Sequence, residues 1–295
     1  MISVVIATIG GPELAATLAA LQQGTLVPDE ILVCLPVGSE ERAAQIATER
    51  VAVRICSCRG QVAQRAEGFR AVRGDLVLQL DDDITLDPTC LENLVRALNT
   101  LPQRSTVAPI MLDKETGASV YARPNNFSRR VVFFLMNGSE GYHPGWVTRS
   151  GLGMGVEITA GETAPIAVRW VPGGCALHRR EALVLETFFP FPGKAFCEDL
   201  YHSAELMARG VSLFVIPNAK CYLDESDVAP ERILDVIKNL NAELCAVWEY
   251  LNRYGSRSPR ILVYAAVSVA HQVRRFRPQK RKTRPDGAEK ISQKS

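Results

Sequence analysis

The sequence predicts an α/β protein, with a mostly parallel central sheet flanked by helices and a helical extension towards the C-terminal end. Short β-branched runs alternate with helical patterns through the first third of the chain, which is typical of βαβ units and a parallel sheet. Three consecutive aspartates follow one of these runs. Parallel sheets of this kind bind ligands beyond the carboxyl ends of their strands. A long amphipathic pattern, Pro230–Tyr254, follows the last predicted strand.

The first half of the chain is predicted to contain four strand–helix units. Pro12 favours the start of the first helix because its fixed φ suits that position, and Asp87 with Pro88 is expected to cap the fourth helix. Crossovers between parallel strands are right-handed, so Thr8 and the triple aspartate are expected at the same edge of the sheet. The predicted strands are Ile2–Ala7, Glu30–Leu35, Val51–Cys56 and Asp75–Leu80, and the predicted helices are Glu13–Gln23, Glu40–Arg50, Gln61–Val72 and Thr89–Asn99.

The second half is less regular. Many Gly, Pro and Asn residues between positions 113 and 165 indicate loops and short strands over the sheet, where acceptor contacts are expected. After these come a strand at Ala167–Val171, a helix beginning at Arg179, a helix at Glu198–Ala208 that ends at Gly210, and a strand at Val211–Ile216.

Composition narrows the class of protein. With 47% hydrophobic and 22% charged residues the chain has the composition of a folded soluble domain. The apolar run Ile261–Ala270 is far shorter than the roughly 20 residues that cross a bilayer, so a core or interfacial helix is expected there. No early segment has the pattern of a secretory signal, and the eight cysteines lack zinc-site spacing. We therefore expect reduced thiols in a cytoplasmic protein.

Charge is distributed unevenly along the chain. Residues 271–295 carry nine Lys or Arg against two Asp or Glu, whereas residues 1–270 carry 25 against 30, a net charge of −5. This acidic body argues against a nucleic-acid enzyme. The basic tail is compatible with peripheral contact at the cytoplasmic face of an anionic membrane, and equally with a solvated, disordered terminus.

The strongest chemical signal is the run Asp81, Asp82 and Asp83 after an apolar strand. Adjacent carboxylates repel one another, so a bound cation is expected to compensate them. Mg²⁺ and Mn²⁺ bind through a few carboxylate oxygens completed by ligand phosphates. In an extended segment Asp81 and Asp83 would point to the same side. The alternative is a solvated turn before the next helix.

A second signal is the acidic pair Glu198 and Asp199 at the start of a helix. A carboxylate held there can act as a base towards an acceptor hydroxyl, although acidic residues also favour helix N-termini for electrostatic reasons alone. Gly173 and Gly174 follow a strand, where two glycines allow the backbone to approach a ligand closely or simply form a tight turn.

Four stretches in this order resemble the inverting family 2 glycosyltransferases of the GT-A fold. They are Val4–Thr8, Gly60–Asp83, Val171–Leu183 and Glu198–Gly210, and the similarity covers roughly residues 2–225. The resemblance implies a Rossmann-like GT-A domain at 1–225, with a nucleotide-sugar-binding half at 1–110 and an acceptor and catalytic half at 111–225. C-terminal helices are then expected at 226–276, and the basic tail at 277–295.

The resemblance also implies roles for individual residues. Asp81 and Asp83 would form the DxD pair for a divalent metal, Mn²⁺ or Mg²⁺, with Asp83 as the direct contact. Asp199 would be the general base, with Glu198 shaping the site. The donor, a nucleotide-diphosphate sugar, would be bound by Thr8, Gln64, Arg65, Asp81, Asp82, Gly173 and Gly174.

The implied reaction is one in-line displacement onto the hydroxyl of a saccharide or lipid-linked acceptor, in polysaccharide or glycolipid biosynthesis. The sequence departs from the family pattern at Cys34–Ser39, which lacks the acidic residues common after the second strand. It departs again at Pro217–Leu223, which lacks a late histidine, and the arginine-rich motif after the base helix is not evident apart from Arg209.

Two other interpretations stay open at this stage. Asp81–Thr85 also fits the DxDxT signature of haloacid dehalogenase-like phosphatases, in which Asp81 would be the nucleophile. That motif normally follows the first strand, whereas three βαβ units precede it here. The other alternative is a catalytically inactive domain that only binds a sugar nucleotide.

Overall fold

The structure, a computed structural model, describes residues 1–121, 126–158, 161–191, 194–223, 233–255 and 258–275. The predicted basic tail, 277–295, and the predicted helix start at Pro230 lie outside these ranges. The described residues form one mixed sheet of nine strands with helices on both faces and a helical C-terminal part. The predicted α/β class is confirmed.

The N-terminal half forms the parallel part of the sheet. Its strands pair in the order β3-β2-β1-β4, with every pair parallel, as expected for successive βαβ units. The elements are β1 (Ile2–Ala7), α1 (Leu14–Gln23), β2 (Glu30–Leu35), α2 (Glu40–Ile46), β3 (Val51–Ile55), α3 (Gln61–Ala71) and β4 (Leu76–Leu80).

These elements agree with the prediction to within two residues at each end, except for α2. That helix ends at Ile46, four residues before the predicted end at Arg50. The hydroxyl of Thr48 accepts hydrogen bonds from the backbone N–H groups of Arg50 and Val51, at 3.3 and 3.1 Å. This side-chain turn competes with helix continuation and leads directly into β3.

The second half completes the sheet with longer connections. Strand β8 lies between β4 and β6 and is antiparallel to both, whereas β9 runs parallel to β6. The start of β9 also pairs with β7, and its end pairs with β5. The elements are β5 (Ile84–Leu86), α4 (Cys90–Thr100), β6 (Ser105–Asp113), α5 (Phe127–Asn137), β7 (Ile166–Val168), β8 (Cys175–Arg179), α6 (Glu198–Ala208) and β9 (Ser212–Leu223).

Three predictions for this half were wrong. The helix expected from Arg179 is the end of strand β8 followed by one 3₁₀ turn, Arg180–Ala182, because pairing with β4 and β6 overrides the local helical pattern. Helix α5 lies in the region expected to hold only loops and short strands. Asp87 is not the cap residue of α4, although its carboxylate accepts a hydrogen bond from the backbone N–H of Thr89 at 3.0 Å.

The parallel strands are buried on both faces, which explains why they are continuous apolar runs. Val4 and Ile6 of β1 face a cluster with residues of α1 and α4, whereas Val5 packs against Phe69 of α3 on the other face. The core thus fixes β1, β4 and α3 relative to one another. The residues that follow these elements, at the carboxyl edge of the sheet, are therefore attached to a rigid part of the fold.

Helices α7 (Ile233–Arg253) and α8 (Ile261–Arg275) form the C-terminal part. Val247 and Tyr250 of α7 and Tyr264 of α8 share an apolar cluster with Leu200 and Tyr201 of α6. The extension therefore supports the helix that carries the acidic pair. Within the described residues, every helix is too short or too polar to cross a membrane.

Candidate active site

Thr8 and the triple aspartate lie together at the carboxyl edge of the sheet. The hydroxyl of Thr8, directly after β1, donates a hydrogen bond to the carboxylate of Asp82, two residues after β4. The hydroxyl of Thr17 on α1 donates to the backbone carbonyl of Asp82 at 2.7 Å. The middle aspartate is therefore tied to the strand and helix of the first βαβ unit.

Because of these bonds the three aspartates form a turn and diverge, and the expectation of an extended segment was wrong. Asp81 points towards α3, where it accepts hydrogen bonds from Arg65 and from Nε2 of Gln61, the latter at 2.9 Å. Asp83 instead lines a small cleft of about 220 Å³ beside α1. The three carboxylates thus point in three different directions.

The aspartate turn is electrostatically crowded. Burial and the neighbouring charges of Asp81 and Asp82 raise the pKa of Asp83 to about 6. Burial also raises the pKa of Asp81 and of Asp82, although Arg65 opposes the effect at Asp81 and Thr8 opposes it at Asp82. Among the described residues no three His, Cys, Asp or Glu side chains are arranged to hold a metal by themselves. A divalent cation bound by one or two carboxylates and by the phosphates of a ligand nevertheless fits this turn, because it would offset the crowding.

Arg65 is the centre of the site. Its side chain is only 3% exposed, and it forms ion pairs with Asp81 and with Glu198, the latter at 2.5 Å. Burial disfavours the charge of the guanidinium, but the two carboxylates outweigh it, so the pKa of Arg65 is raised. The side chain therefore positions two acidic groups and does not line the cleft beside Thr8.

Gln64, the neighbour of Arg65 on α3, holds the strand ends together. Its Nε2 donates to the backbone carbonyls of Thr8 and Cys34 at 3.0 and 2.8 Å, and its Oε1 accepts from the backbone N–H of Gly60 at 3.2 Å. This amide joins the ends of β1 and β2 to the start of α3.

The acidic pair lies at the N-terminus of α6, as predicted. Cys197, the residue before the pair, has a backbone φ of 56°, which residues other than glycine rarely adopt. Burial and the adjacent Glu198 carboxylate raise the pKa of Asp199 to about 7. Asp199 is therefore a carboxylate that exchanges its proton near neutral pH, as a general base requires.

Gly173 and Gly174 lie between the two acidic groups. A β-carbon on Gly173 would collide with Oε1 of Glu198 and lie 3.3 Å from Cβ of Asp199. One on Gly174 would lie 3.3 Å from Oδ2 of Asp81. The backbone N–H of Asp81 donates to the carbonyl of Gly174 at 2.8 Å. A β-carbon would therefore be crowded at both positions, by the Glu198 carboxylate at Gly173 and mainly by Cδ1 of Ile84, 2.5 Å away, at Gly174.

A cleft of about 830 Å³ opens beside Thr8 and Asp82 and has the size of a small-molecule site. Thr8, Gln64 and Asp82, all predicted, line it. Sequence reasoning missed three polar residues of the site: Arg59 and Lys194, which line the cleft, and Gln61, which lines it and also binds Asp81. Gln61 and Gln64 are one helical turn apart, and this spacing was the available signal.

The histidines near the site are structural. His178 and His202 are buried with ring centroids 5.4 Å apart, and Nδ1 of His178 is 3.0 Å from the hydroxyl of Thr106. Burial lowers the pKa of both rings, to about 3 for His202. All eight cysteines are free thiols, as expected.

Comparison with known proteins identifies the family. The model of glycosyl transferase family 2 matches residues 3–154, which contain β1, the Arg65 helix and the triple aspartate. The chain belongs to glycosyltransferase family 2. This assignment identifies a domain of the glycosyltransferase type and argues against the phosphatase alternative. In agreement, the Asp81 carboxylate is ion-paired with Arg65.

Solved structures show that this family 2 member has the GT-A fold. No curated protein sequence matches the chain. GalNAc-T7 with UDP, GalNAc and Mn²⁺ is 16% identical over 92% of this chain, with a TM-score of 0.55, and this chain spans 55% of its length. Staphylococcus aureus TarS 1–349 is 12% identical over 94% of this chain and 72% of its own, with a TM-score of 0.51. The mannosyltransferase PcManGT from Pyrobaculum calidifontis, in complex with GDP-Man and Mn²⁺, is 16% identical over 92% of this chain and 75% of its own, with a TM-score of 0.51.

Proposed function

We propose that this protein transfers a sugar from a nucleotide-diphosphate donor to an acceptor hydroxyl with inversion of the anomeric configuration. The observation that carries the proposal is the arrangement around the glycine pair. Asp81 adjoins one side of it, and Asp199, with a pKa of about 7, adjoins the other. The proposed cation-binding turn and the proposed base thus adjoin the same segment of backbone, which supports the proposal.

The donor is proposed to occupy the cleft beside Thr8. Arg59 and Lys194 are the cationic side chains on its lining and suit a diphosphate, while Gln61 and Gln64 supply amide groups. Asp83, Asp81 or both would hold a divalent cation. When bound, this cation would stabilise the charge that develops on the leaving diphosphate. Two of the similar structures contain Mn²⁺ together with a nucleotide or nucleotide sugar.

The acceptor is proposed to approach from the side of α6. Asp199 would take the proton from the acceptor hydroxyl as the oxygen attacks the anomeric carbon, and a single displacement then inverts that centre. Arg65 holds Glu198 in place, and Glu198 in turn keeps the pKa of Asp199 high. The acceptor class we propose is a saccharide or a lipid-linked saccharide.

The test is binding and turnover of UDP-, GDP-, dTDP- and CMP-sugars, with and without Mn²⁺. The wild type is compared with Asp83→Asn and with Glu40→Gln, an exposed carboxylate outside the site that serves as the matched control. We expect one donor class to bind in a manganese-dependent way, and Asp83→Asn but not Glu40→Gln to abolish this dependence. Absence of donor binding in a folded protein would contradict the proposal, whereas donor binding without turnover on any acceptor would favour the inactive binding domain.

A further inference from the structure

Two surface helices of this protein expose apolar stripes that the enzyme site does not use. On α5 the exposed side chains Phe127, Val131, Phe134 and Leu135 follow the offsets 0, 4, 7 and 8, which lie on one side of a helix. Phe127 is 81% exposed. The opposite side of α5 is also apolar, and Phe133 and Met136 are buried there. One apolar side of α5 is therefore packed against the protein, and the other is exposed to solvent.

The stripe on α8 repeats this pattern. Leu262, Ala266, Val269 and Ala270 are exposed and follow the same offsets, while Ile261 and Tyr264 are buried on the inner side. Leu262 is 71% exposed. The two helices pack against each other. Arg260 connects them, because its Nη1 donates to the backbone carbonyls of Leu135 and Phe134 at 2.5 and 3.1 Å. We call these two stripes together the α5–α8 face.

The two helices of the α5–α8 face carry charge of one sign, whereas α7, which packs against α8, carries Glu243, the acceptor of a hydrogen bond from the hydroxyl of Tyr264. Neither Phe127–Asn137 nor Ile261–Arg275 contains an Asp or Glu. Arg129 and Arg130 are exposed on the first turn of α5. From Arg274, near the end of α8, to Arg284 the sequence carries seven Lys or Arg and no acidic residue, and the positions after Arg275 lie outside the described residues. Exposed apolar stripes bordered by cations match the composition of helices that lie in the interface of an anionic membrane.

The position of the α5–α8 face relative to the active site also suits contact with an anionic membrane. Tyr264 on the inner side of α8 and Met136 on the inner side of α5 belong to the cluster that contains Leu200 and Tyr201 of α6. The inner sides of α5 and α8 thus belong to the same apolar cluster as the helix that carries Asp199. Docking of the outer face on a membrane would therefore place the site near lipid-linked acceptors.

We infer that the α5–α8 face docks onto an anionic lipid surface. Aromatic and aliphatic side chains of both stripes enter the headgroup region, and the arginines contact lipid phosphates. A second copy of the chain is the competing occupant, and it is less suited because it would bring two like-charged borders together. The inference goes beyond the proposed function, and its test uses no sugar donor, so its failure would leave the transferase proposal intact.

The experiment is co-sedimentation of the full chain with vesicles of phosphatidylcholine alone and of phosphatidylcholine with equimolar phosphatidylglycerol. We expect binding to the anionic vesicles, weakened by salt, and little binding to the neutral ones. The double variant Phe134→Ser/Leu262→Ser should lower the partition coefficient on anionic vesicles by at least about tenfold. The double variant Val27→Ser/Val37→Ser, which removes exposed valines from another surface, should leave it unchanged.

Two results would overturn the inference. One is equal binding by the α5–α8 variant and the wild type, which would assign any vesicle binding to the basic tail alone. The other is a lipid-independent dimer that the α5–α8 variant dissociates, observed by analytical ultracentrifugation, which would make the face a contact between two copies. Melting temperatures of both variants show whether each is folded before binding is compared.

Discussion

Arg65 and Glu198 form a buried ion pair of 2.5 Å that joins the two halves of the chain. Arg65 also holds Asp81 at the end of β4, so one guanidinium neutralises a residue of the proposed cation site and a neighbour of the proposed base. Oε2 of Glu198 and Nε of Arg65 are buried without a hydrogen-bond partner among the residues that the structure describes. The pair therefore depends on its remaining contacts and is sensitive to the loss of either partner.

Replacement of Asp199 by Asn should slow catalysis without preventing donor binding. The amide cannot accept the proton of the acceptor hydroxyl, so we expect kcat to fall by about 10²–10⁴-fold. The donor dissociation constant should change by less than about threefold, because Asp199 is not among the residues that line the proposed donor cleft. Steady-state kinetics and calorimetric donor titration test this. Normal turnover by Asp199→Asn would remove Asp199 from the mechanism.

The rate should depend on pH through Asp199. Because its pKa in the free protein is about 7, the base is protonated below that pH, and kcat/KM, which reports the free enzyme, should rise as the pH increases through about 7. In Glu198→Gln the neighbouring negative charge is lost, so the pKa of Asp199 should fall and the acidic limb of the profile should move to lower pH. Measured pH–rate profiles decide the point, and an unshifted limb would mean that another group controls the rate.

The same carboxyl should also make folding stability depend on pH. The pKa of Asp199 in the fold is raised above its ordinary value of 3.8, so folding favours the protonated form. Stability is consequently lost as pH rises from about 4 to about 7, and Asp199→Asn escapes this loss. We expect the Asn variant to melt at a higher temperature than the wild type at pH 8, with the difference vanishing near pH 4. A variant that melts lower at pH 8 would contradict the raised pKa.

Removal of Arg65 should destabilise the fold strongly. Arg65→Ala leaves Asp81 and Glu198 without their shared cation, and we expect a loss of about 3–5 kcal/mol in the free energy of unfolding at pH 7.5. Arg65→Lys should recover only part of it, since an ammonium cannot hold two carboxylates as a planar fork does. Arg73→Ala, which removes an exposed arginine just after α3, should change stability by less than about 0.5 kcal/mol. Urea denaturation gives all three values, and equal losses for Arg65→Ala and Arg73→Ala would refute the bridging role.

The glycine pair should be intolerant of a β-carbon for catalytic reasons. In Gly173→Ala the methyl group would displace the Glu198 carboxylate, and we expect kcat to fall by about 100-fold. Gly74→Ala is the comparison, because its methyl group would meet the backbone N–H of Ser3 at 2.6 Å, outside the site. It should lower the melting temperature while kcat of the folded enzyme stays near the wild-type value. Similar kcat values for the two variants would show that the glycine pair serves only the fold.

Sequence patterns predicted the parallel half of the sheet because its strands are continuous apolar runs with local connections. They failed at β6, where Pro109 argues against an interior strand, and the structure shows that the register shifts there between Pro109 and Ile110. They failed at α5 because the expectation rested on the many Gly, Pro and Asn residues between positions 113 and 165, whereas Phe127–Asn137 is a run without Gly or Pro that can form a helix.

The candidate site could be predicted only in part. Sequence reasoning selected Asp81, Asp199 and the glycine pair, and the structure brings them together. The ion pairs of Arg65 could not be predicted from the sequence, because they connect residues that are far apart in the chain and that no local pattern relates.

The central position of β8 has a consequence for how the protein folds. This strand is formed by Cys175–Arg179, yet it supplies the neighbour of β4 in the middle of the sheet. A nascent chain that has reached only residue 110 has an unsatisfied β4 edge, which invites pairing with other chains. The loop closure that brings β8 to β4 spans nearly a hundred residues, so we expect it to form late and to limit the refolding rate. Catalytic competence and a closed sheet should therefore be acquired in the same kinetic step.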